Sequence, residues 1–344
     1  MSGEDRATEG ARRTVIHIVP QIPPPPEGVG SFAMALAAAL SADCGIESRF
    51  FVPSQGTLNE ALAEATEEGE GVPVLLHYAN YGYAPRGCPS WLIGGLAKWK
   101  ARSRGRLVTM FHEFHAMGPP WRSSFWLSPL QRRLATALLH LSDGLVTSLP
   151  LHRRILLGWV PGREIAVLPV FSTVGEPAET PPLSARARRL VLFGGPGTRA
   201  RAYRELGPTI AITCRALGIE EILDIGPDGG PQASDIPSNV RRLGPLPNDE
   251  VSELLAGSLA GFVGYPAPFL AKSTVFAAYS AHRLLPICAW PRPRRNTEPA
   301  PPFWTPEQEV LPDSLQEIAD RAHAWYGGHS LSRQAAAYHE LLFP

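Results

Sequence analysis

Short apolar runs alternate along this chain with stretches of helical spacing. TVIHIV (14–19) reads as a strand buried on both faces, and SRFFV (48–52), PVLLHY (73–78), RLVTMF (106–111), GLVTSL (144–149) and EIAVLPV (164–170) as five more. Between them the spacing predicts helices from Ser31 to about Ala42, with Ser31 as N-cap, then at 57–68, 128–142 and 151–158. FSTVGEPAETPPLSARAR (171–188) is rich in Pro and small polar residues and reads as a linker. After it the alternation restarts. Strands are expected at RLVLFG (189–194), EILDIG (221–226), VRRLG (240–244), LAGFVGY (259–265) and LLPICAW (284–290). Helices are expected at 203–217, 248–257 and 270–282; a Pro-rich loop covers 291–306, and two terminal helices 313–326 and 330–342.

Alternating strands and helices imply parallel sheets covered on both faces. The expected fold is α/β, with two doubly wound Rossmann-like domains facing a central cleft. Residues 1–13 are expected as a disordered tail, 14–170 as the first domain, 189–312 as the second, and 313–344 as terminal helices. The stripe Ala336, Leu341, Leu342 and Phe343 suits a last helix packed back on the first domain. In such folds ligands sit outside the carboxyl ends of the strands.

Composition narrows the function. The 344 residues suit two domains with cores of their own. The formal net charge of zero removes a whole-chain electrostatic case for nucleic acid. Only Lys98, Lys100 and Lys272 are lysines among the 32 basic residues, so a lysine where arginine would serve is informative. Cys44, Cys88, Cys214 and Cys288 form no C-x-x-C pair, which argues against zinc and for a reduced, cytoplasmic setting. The N-terminus MSGEDRATEGARR reads as neither signal peptide nor anchor, and no apolar stretch reaches 18 uncharged residues. The expected location is therefore cytoplasmic, with peripheral association at the inner membrane left open.

Four clusters carry candidate chemistry. Gly28 and Gly30 precede a helix start, where free N–H groups favour an anion. The string GVGSFA also fits the dinucleotide fingerprint, but four prolines separate it from the strand, which weakens a nicotinamide reading. His77, Tyr78, Tyr81 and Arg86 follow a strand; aromatics stack on sugar rings and arginine holds phosphate, while the plainer reading is a loop packed on its own tyrosines. His112 and Glu113 end another strand. The histidines of HEFH are three apart at a strand end rather than four apart on a helix, which argues against a metal. Lys272, Ser273 and Thr274 open a helix, as a phosphate site or as an N-cap beside a surface lysine.

In order along the chain, PPPPEGVGSFA, HYANYGYAPRGCPSWL (77–92), VTMFHEFH (108–115), LPVFSTVGE (168–176) and LGPLPNDEVSELLAGSLAGFVGY (243–265) resemble family-4 retaining glycosyltransferases of the GT-B fold. The resemblance spans nearly the whole chain. It implies transfer of a sugar from a nucleoside-diphosphate sugar to a glycan, lipid-linked or small-molecule acceptor, in surface polysaccharide or glycoconjugate biosynthesis. Retention of configuration, no metal and no further cofactor are implied with it. The first domain would take the acceptor, at His77, Tyr78, Tyr81 and Arg86. His112 and Glu113 would be the catalytic pair, with His112 hydrogen-bonded to the donor sugar. The donor diphosphate would meet Gly195, Arg199 and Arg201 after the GGPG turn, together with Lys272, Ser273 and Thr274. One departure is plain. The family's paired glutamates, seven residues apart, should fall within 264–287, and that segment has no acidic residue. Their absence opens an alternative, a non-catalytic GT-B partner or nucleotide-sugar-binding subunit that works with another glycosyltransferase.

Overall fold

In the computed structural model residues 13–23, 28–59, 62, 71–103, 105–116, 121, 123–230, 239–290, 300–306 and 312–344 are described. The expected tail (all but Arg13), most of the expected helix at 57–68 and much of the loop at 291–306 lie outside them. The described residues group into two units. One lies within Met1–Ile22, Ala33–Val146 and Ala335–Pro344, the other within Pro23–Phe32 and Thr147–Gln334.

The first sheet contains β1 (Thr14–Ile18), β2 (Glu47–Phe51), β3 (Val74–Ala79), β4 (Leu107–Glu113), β5 (Gly144–Thr147) and β6 (Ala166–Val167), in the order β2-β1-β3-β4-β5-β6. Every residue of β3 is buried, as a central strand covered on both faces requires. The helices of this part are α1 (Gly28–Cys44), the single turn α2 (Asn80–Tyr83), α3 (Ser90–Arg102), α4 (Ser123–Leu141) and α5 (Pro150–Trp159). Gly28 and Gly30 thus stand inside the first turn of α1, not in a loop before it. The strand expected at 164–170 shrinks to two residues. Leu168 N–H still donates to Thr147 O at 2.8 Å, but Pro169 has no N–H to continue the ladder.

The second sheet has the order β11-β10-β7-β8-β9, from β7 (Ala187–Phe193), β8 (Glu221–Ile225), β9 (Val240–Gly244), β10 (Ser258–Val263) and β11 (Leu285–Cys288), and its four neighbouring pairs are parallel. Side chains alternate across β7. Leu190 and Leu192 pack with Leu206, Ile210, Trp304 and Ala319, while Val191 packs on the opposite face with Leu223, Phe276, Tyr279 and Leu284. The helices are α6 (Pro196–Leu217), α7 (Asn248–Ala256), α8 (Thr274–Ala281), α9 (Pro312–Gly327) and α10 (Leu331–Leu342). Helix α6 has Gly195 as N-cap, Pro196 in its first turn and Gly218 at φ +62° beyond its end, the expected Pro-in, Gly-out asymmetry.

The stretch 171–188 does not hang free. Phe171 stacks on Phe32 at 4.3 Å, Ser172 N–H donates to the Tyr326 hydroxyl at 2.9 Å, and Leu183 N–H donates to Gln316 Oε1 at 2.8 Å. The buried Arg186 donates to the carbonyls of Pro181 and His282 at 2.9 and 3.0 Å.

Candidate functional site

In the second unit the chain runs from β7 to β8 and β9 on one side, then returns to β10 on the other. Strand order therefore reverses between β7 and β10, and the carboxyl ends of these two strands are where a doubly wound sheet takes its ligand. A pocket of about 220 Å³ opens there. Strand ends supply Phe193, Gly264 and Tyr265, the start of α6 supplies Gly195, Thr198 and Arg199, and the segment entering α8 supplies Lys272, Ser273 and Thr274. Five residues expected from sequence to meet a diphosphate line one cavity. The sixth, Arg201, is not among the lining residues. Its guanidinium lies 4.7 Å from the Trp290 ring centre and donates to Gly264 O at 3.3 Å, so it braces the pocket's edge from outside.

Gly195 caps α6, and a side chain added there would meet nothing within 4 Å, so a ligand can approach the backbone. Ser273 caps α8 by accepting from Phe276 N–H at 3.2 Å. Two helix N-termini, each the positive end of its dipole, meet one pocket that also contains a lysine. Arg199 is also held by partners of its own. Only 5% exposed, it pairs with Asp224, itself 1% exposed, and donates to the carbonyls of Gly194 (2.9 Å) and Pro227. Those bonds tie the turn after β7 to the turn after β8. There the chain approaches so closely that a Cβ on Gly226, at φ +147°, would lie 2.2 Å from Gly194 O. Asp224 was not singled out from sequence; the signal was a lone acid within an apolar strand, EILDI.

The first unit holds a second constellation. His17 on β1 pairs with Leu75 on β3, and His77 on β3 pairs with Met110 on β4. His77 is two residues beyond Leu75, and His112 two beyond Met110. A step of two keeps a side chain on the same face, so the three imidazoles form a diagonal row across β1, β3 and β4. His17 Nδ1 lies 3.1 Å from His77 Nε2, and His77 Nδ1 lies 3.3 Å from His112 Nε2. All three are buried. Burial lowers the His17 pKa to about 3 and, with the neighbouring His17 and His112, holds that of His77 well below the ordinary value. His17 and His77 are therefore neutral at pH 7. Among the described residues His17 Nε2 has no hydrogen-bond partner, and a bare lone pair is a cheaper orphan than an N–H. With His17 and His77 neutral, the proton of His17 sits on Nδ1 and His77 donates from its own Nδ1 toward His112 Nε2.

His77 and Tyr78, expected at an acceptor, lie inside the first unit. Both are fully buried, and Tyr78 is packed between Phe111 at 5.7 Å and Tyr83 at 6.5 Å. Tyr81, Arg86 and Glu113 are exposed. The loop bearing the first two is held by the buried Gln131, whose Nε2 donates to the Tyr81 hydroxyl at 3.1 Å and to Arg86 O at 3.0 Å. Gly87 belongs to this knot. At φ +65°, a Cβ would lie 2.7 Å from both Asn80 Nδ2 and Gln131 Nε2. Gly87→Ala is expected to cost about 1–3 kcal/mol; a denaturant midpoint unmoved from wild type would refute that. Gly28 is exposed and a side chain on it would meet nothing, whereas Gly30 is buried. Among the described residues no group of three or more His, Cys, Asp or Glu could hold a metal ion.

Comparison of the sequence with family descriptions and with curated proteins returns no match. The fold is widely matched among solved structures. Sucrose-phosphate synthase from Thermosynechococcus elongatus superposes with a TM-score of 0.60 at 12% identity, over 96% of this chain and 99% of its own. WaaG, a glycosyltransferase involved in lipopolysaccharide biosynthesis, gives 0.55 at 12% identity over the same shares. An alpha-glucosyltransferase in complex with UDP and a 13-mer DNA gives 0.55 at 11% identity, again over 96% and 99%. With two parallel, doubly wound sheets and this coverage, the chain has the GT-B fold.

Proposed function

We propose that the second unit binds the diphosphate of a nucleoside-diphosphate sugar and that the chain is a glycosyltransferase. The observation that carries this is the pocket between the β7 and β10 ends, where two helix starts and Lys272 converge. When the anomeric bond breaks, negative charge gathers on the leaving diphosphate. Fixed donors aimed at it stabilise the transition state more than the ground state. Those donors are the helix starts at Gly195 and Ser273, the Thr274 hydroxyl and Lys272, with no metal needed. His112 and Glu113 are the catalytic candidates of the first unit, and the exposed Tyr81 and Arg86 its acceptor contacts. The acceptor is a glycan, a lipid-linked sugar or a small molecule, the product class a surface polysaccharide or glycoconjugate, and configuration is retained.

Titration calorimetry with a panel of nucleoside diphosphates tests the pocket. Lys272→Ala and Thr274→Val are each expected to weaken binding by about 1–3 kcal/mol, as for charge-assisted hydrogen bonds. Arg201→Ala, outside the lining, should weaken it less. Equal affinity in wild type and both lining variants would overturn the assignment. One observation favours a second reading, a nucleotide-sugar-binding partner without turnover. Segment 264–287 has no carboxylate to hold ribose or sugar hydroxyls, and Arg199 is engaged by Asp224. Binding without transfer or hydrolysis of any donor, together with a second glycosyltransferase that requires this chain, would decide for that reading.

A further inference from the structure

Among the described residues the first unit exposes an apolar face on α4. On α4 the inward positions Gln131, Ala135, Leu138 and Leu139 are buried, whereas Phe125, Trp126, Pro129 and Leu130 face solvent. Trp126 is 73% exposed, and Trp121, just before the helix, 83%. With 3.6 residues per turn the four outward residues fall within an arc of roughly 140°, and Arg133 continues that arc one turn on. Arg132 and Arg133 are both exposed. From Phe114 to Ser142 the sequence contains no Asp or Glu.

Charge and side-chain type together indicate what covers this face. Indole rings settle where an apolar medium meets a polar one, because the ring is apolar and its N–H is not. Arginines beside them, with no acid within the segment, make the face complementary to a negative surface. An amphipathic helix with aromatics and leucine at its contact face and arginines at the border is built to lie in a lipid headgroup layer. Among the described residues no helix is long and apolar enough to cross a membrane, so contact would be at the surface.

We propose that the first unit docks on anionic lipid surfaces through the outward face of α4. Trp121, Phe125, Trp126 and Leu130 enter the headgroup layer, and Arg132 and Arg133 lie over it. This inference does not depend on glycosyl transfer.

Flotation of the full chain with vesicles tests it, comparing phosphatidylcholine alone with vesicles containing roughly one-third phosphatidylglycerol. The chain should float with the anionic vesicles, and less so as salt is raised. Trp121→Ser with Trp126→Ser should lower the partition coefficient on the order of tenfold or more. Arg132→Gln with Arg133→Gln should lower it about fivefold per arginine. Melting temperatures should match wild type, since all four side chains are exposed. Absence of flotation, or flotation unchanged in the tryptophan variant, would overturn the proposal. So would a dimer that the tryptophan variant dissolves while wild type ignores lipid, since the face would then join two copies of the chain.

Discussion

Asp224→Ala is expected to destabilise the protein by about 3–5 kcal/mol, the range for removing one partner of a buried ion pair. The loss exceeds that of one hydrogen bond because the Arg199 guanidinium stays behind, 5% exposed and without its counter-charge. Arg199→Ala should cost a similar amount for the mirrored reason. It also releases the carbonyls of Gly194 and Pro227, and with them the tie between the turns after β7 and β8. Replacing both at once, Arg199→Met with Asp224→Leu, leaves no orphaned charge and should recover much of the loss, so the two singles are strongly non-additive. Urea unfolding of the four proteins reads the cycle. Single-variant losses below about 1 kcal/mol, or strict additivity, would show that the pair does not hold this part of the fold. The double variant also separates two roles. If it folds and binds nucleoside diphosphate as wild type does, Arg199 supports the pocket wall; if binding falls with the fold intact, its guanidinium also contacts the ligand.

Much of the fold was legible because strands buried on both faces give continuous apolar runs, and such runs end where Gly and Pro begin. VLLHYA and SLAGFV are buried throughout and were read within a residue or two of their bounds. Errors clustered where Gly or Pro served packing rather than termination. Helix α3, which carries Gly94 and Gly95, was not anticipated; a Cβ on Gly95 would lie 2.4 Å from Leu58 Cδ2, so that glycine permits close packing. The helix expected from 128 begins at Ser123, and α4 carries Pro129 as an interior residue. Helix α6 was expected from 203, whereas Pro196 already lies in its first turn.

The site was legible in part for a different reason. Pocket residues such as Gly195 and Lys272 carry local signals, a glycine turn and a scarce lysine at helix starts. The Arg199–Asp224 pair and the histidine row depend on strand register and on partners far apart in sequence. From sequence Arg199 therefore reads as a phosphate ligand without its buried partner, and His77 as an acceptor contact without its neighbours in the row. Nothing local in TVIHI marks His17 as the end of a hydrogen-bonded row, because its partner stands 60 residues away.

Acid should weaken the protein well before its carboxylates protonate. His17 is held at a pKa of about 3 in the folded state, against 6.5 for an ordinary histidine, because its imidazolium would be buried without solvent. His77 is depressed by the same burial and by its two neighbours in the row. His282 and His329 are each lowered to about 4, again mainly by burial. For a depressed histidine the unfolded chain takes up the proton first. Its stabilising contribution is complete above 6.5 and is lost as pH falls from there toward the folded-state value. Each such residue then costs roughly 1.4 kcal/mol per pH unit, or about 2 kcal/mol by pH 5. The low pKa of Asp320, which the Arg283 and Gln316 hydrogen bonds produce against the opposing effect of burial, acts only below its ordinary 3.8. Between pH 6.5 and 5 the slope therefore belongs to the histidines. His17→Phe, with its ring beside Phe50, should lower stability at pH 8 by leaving His77 Nε2 without its donor, yet flatten the dependence by close to one proton. Urea unfolding at half-unit steps from pH 8 to 5 measures both quantities. A variant as steep as wild type would show that His17 is not neutral in the folded row.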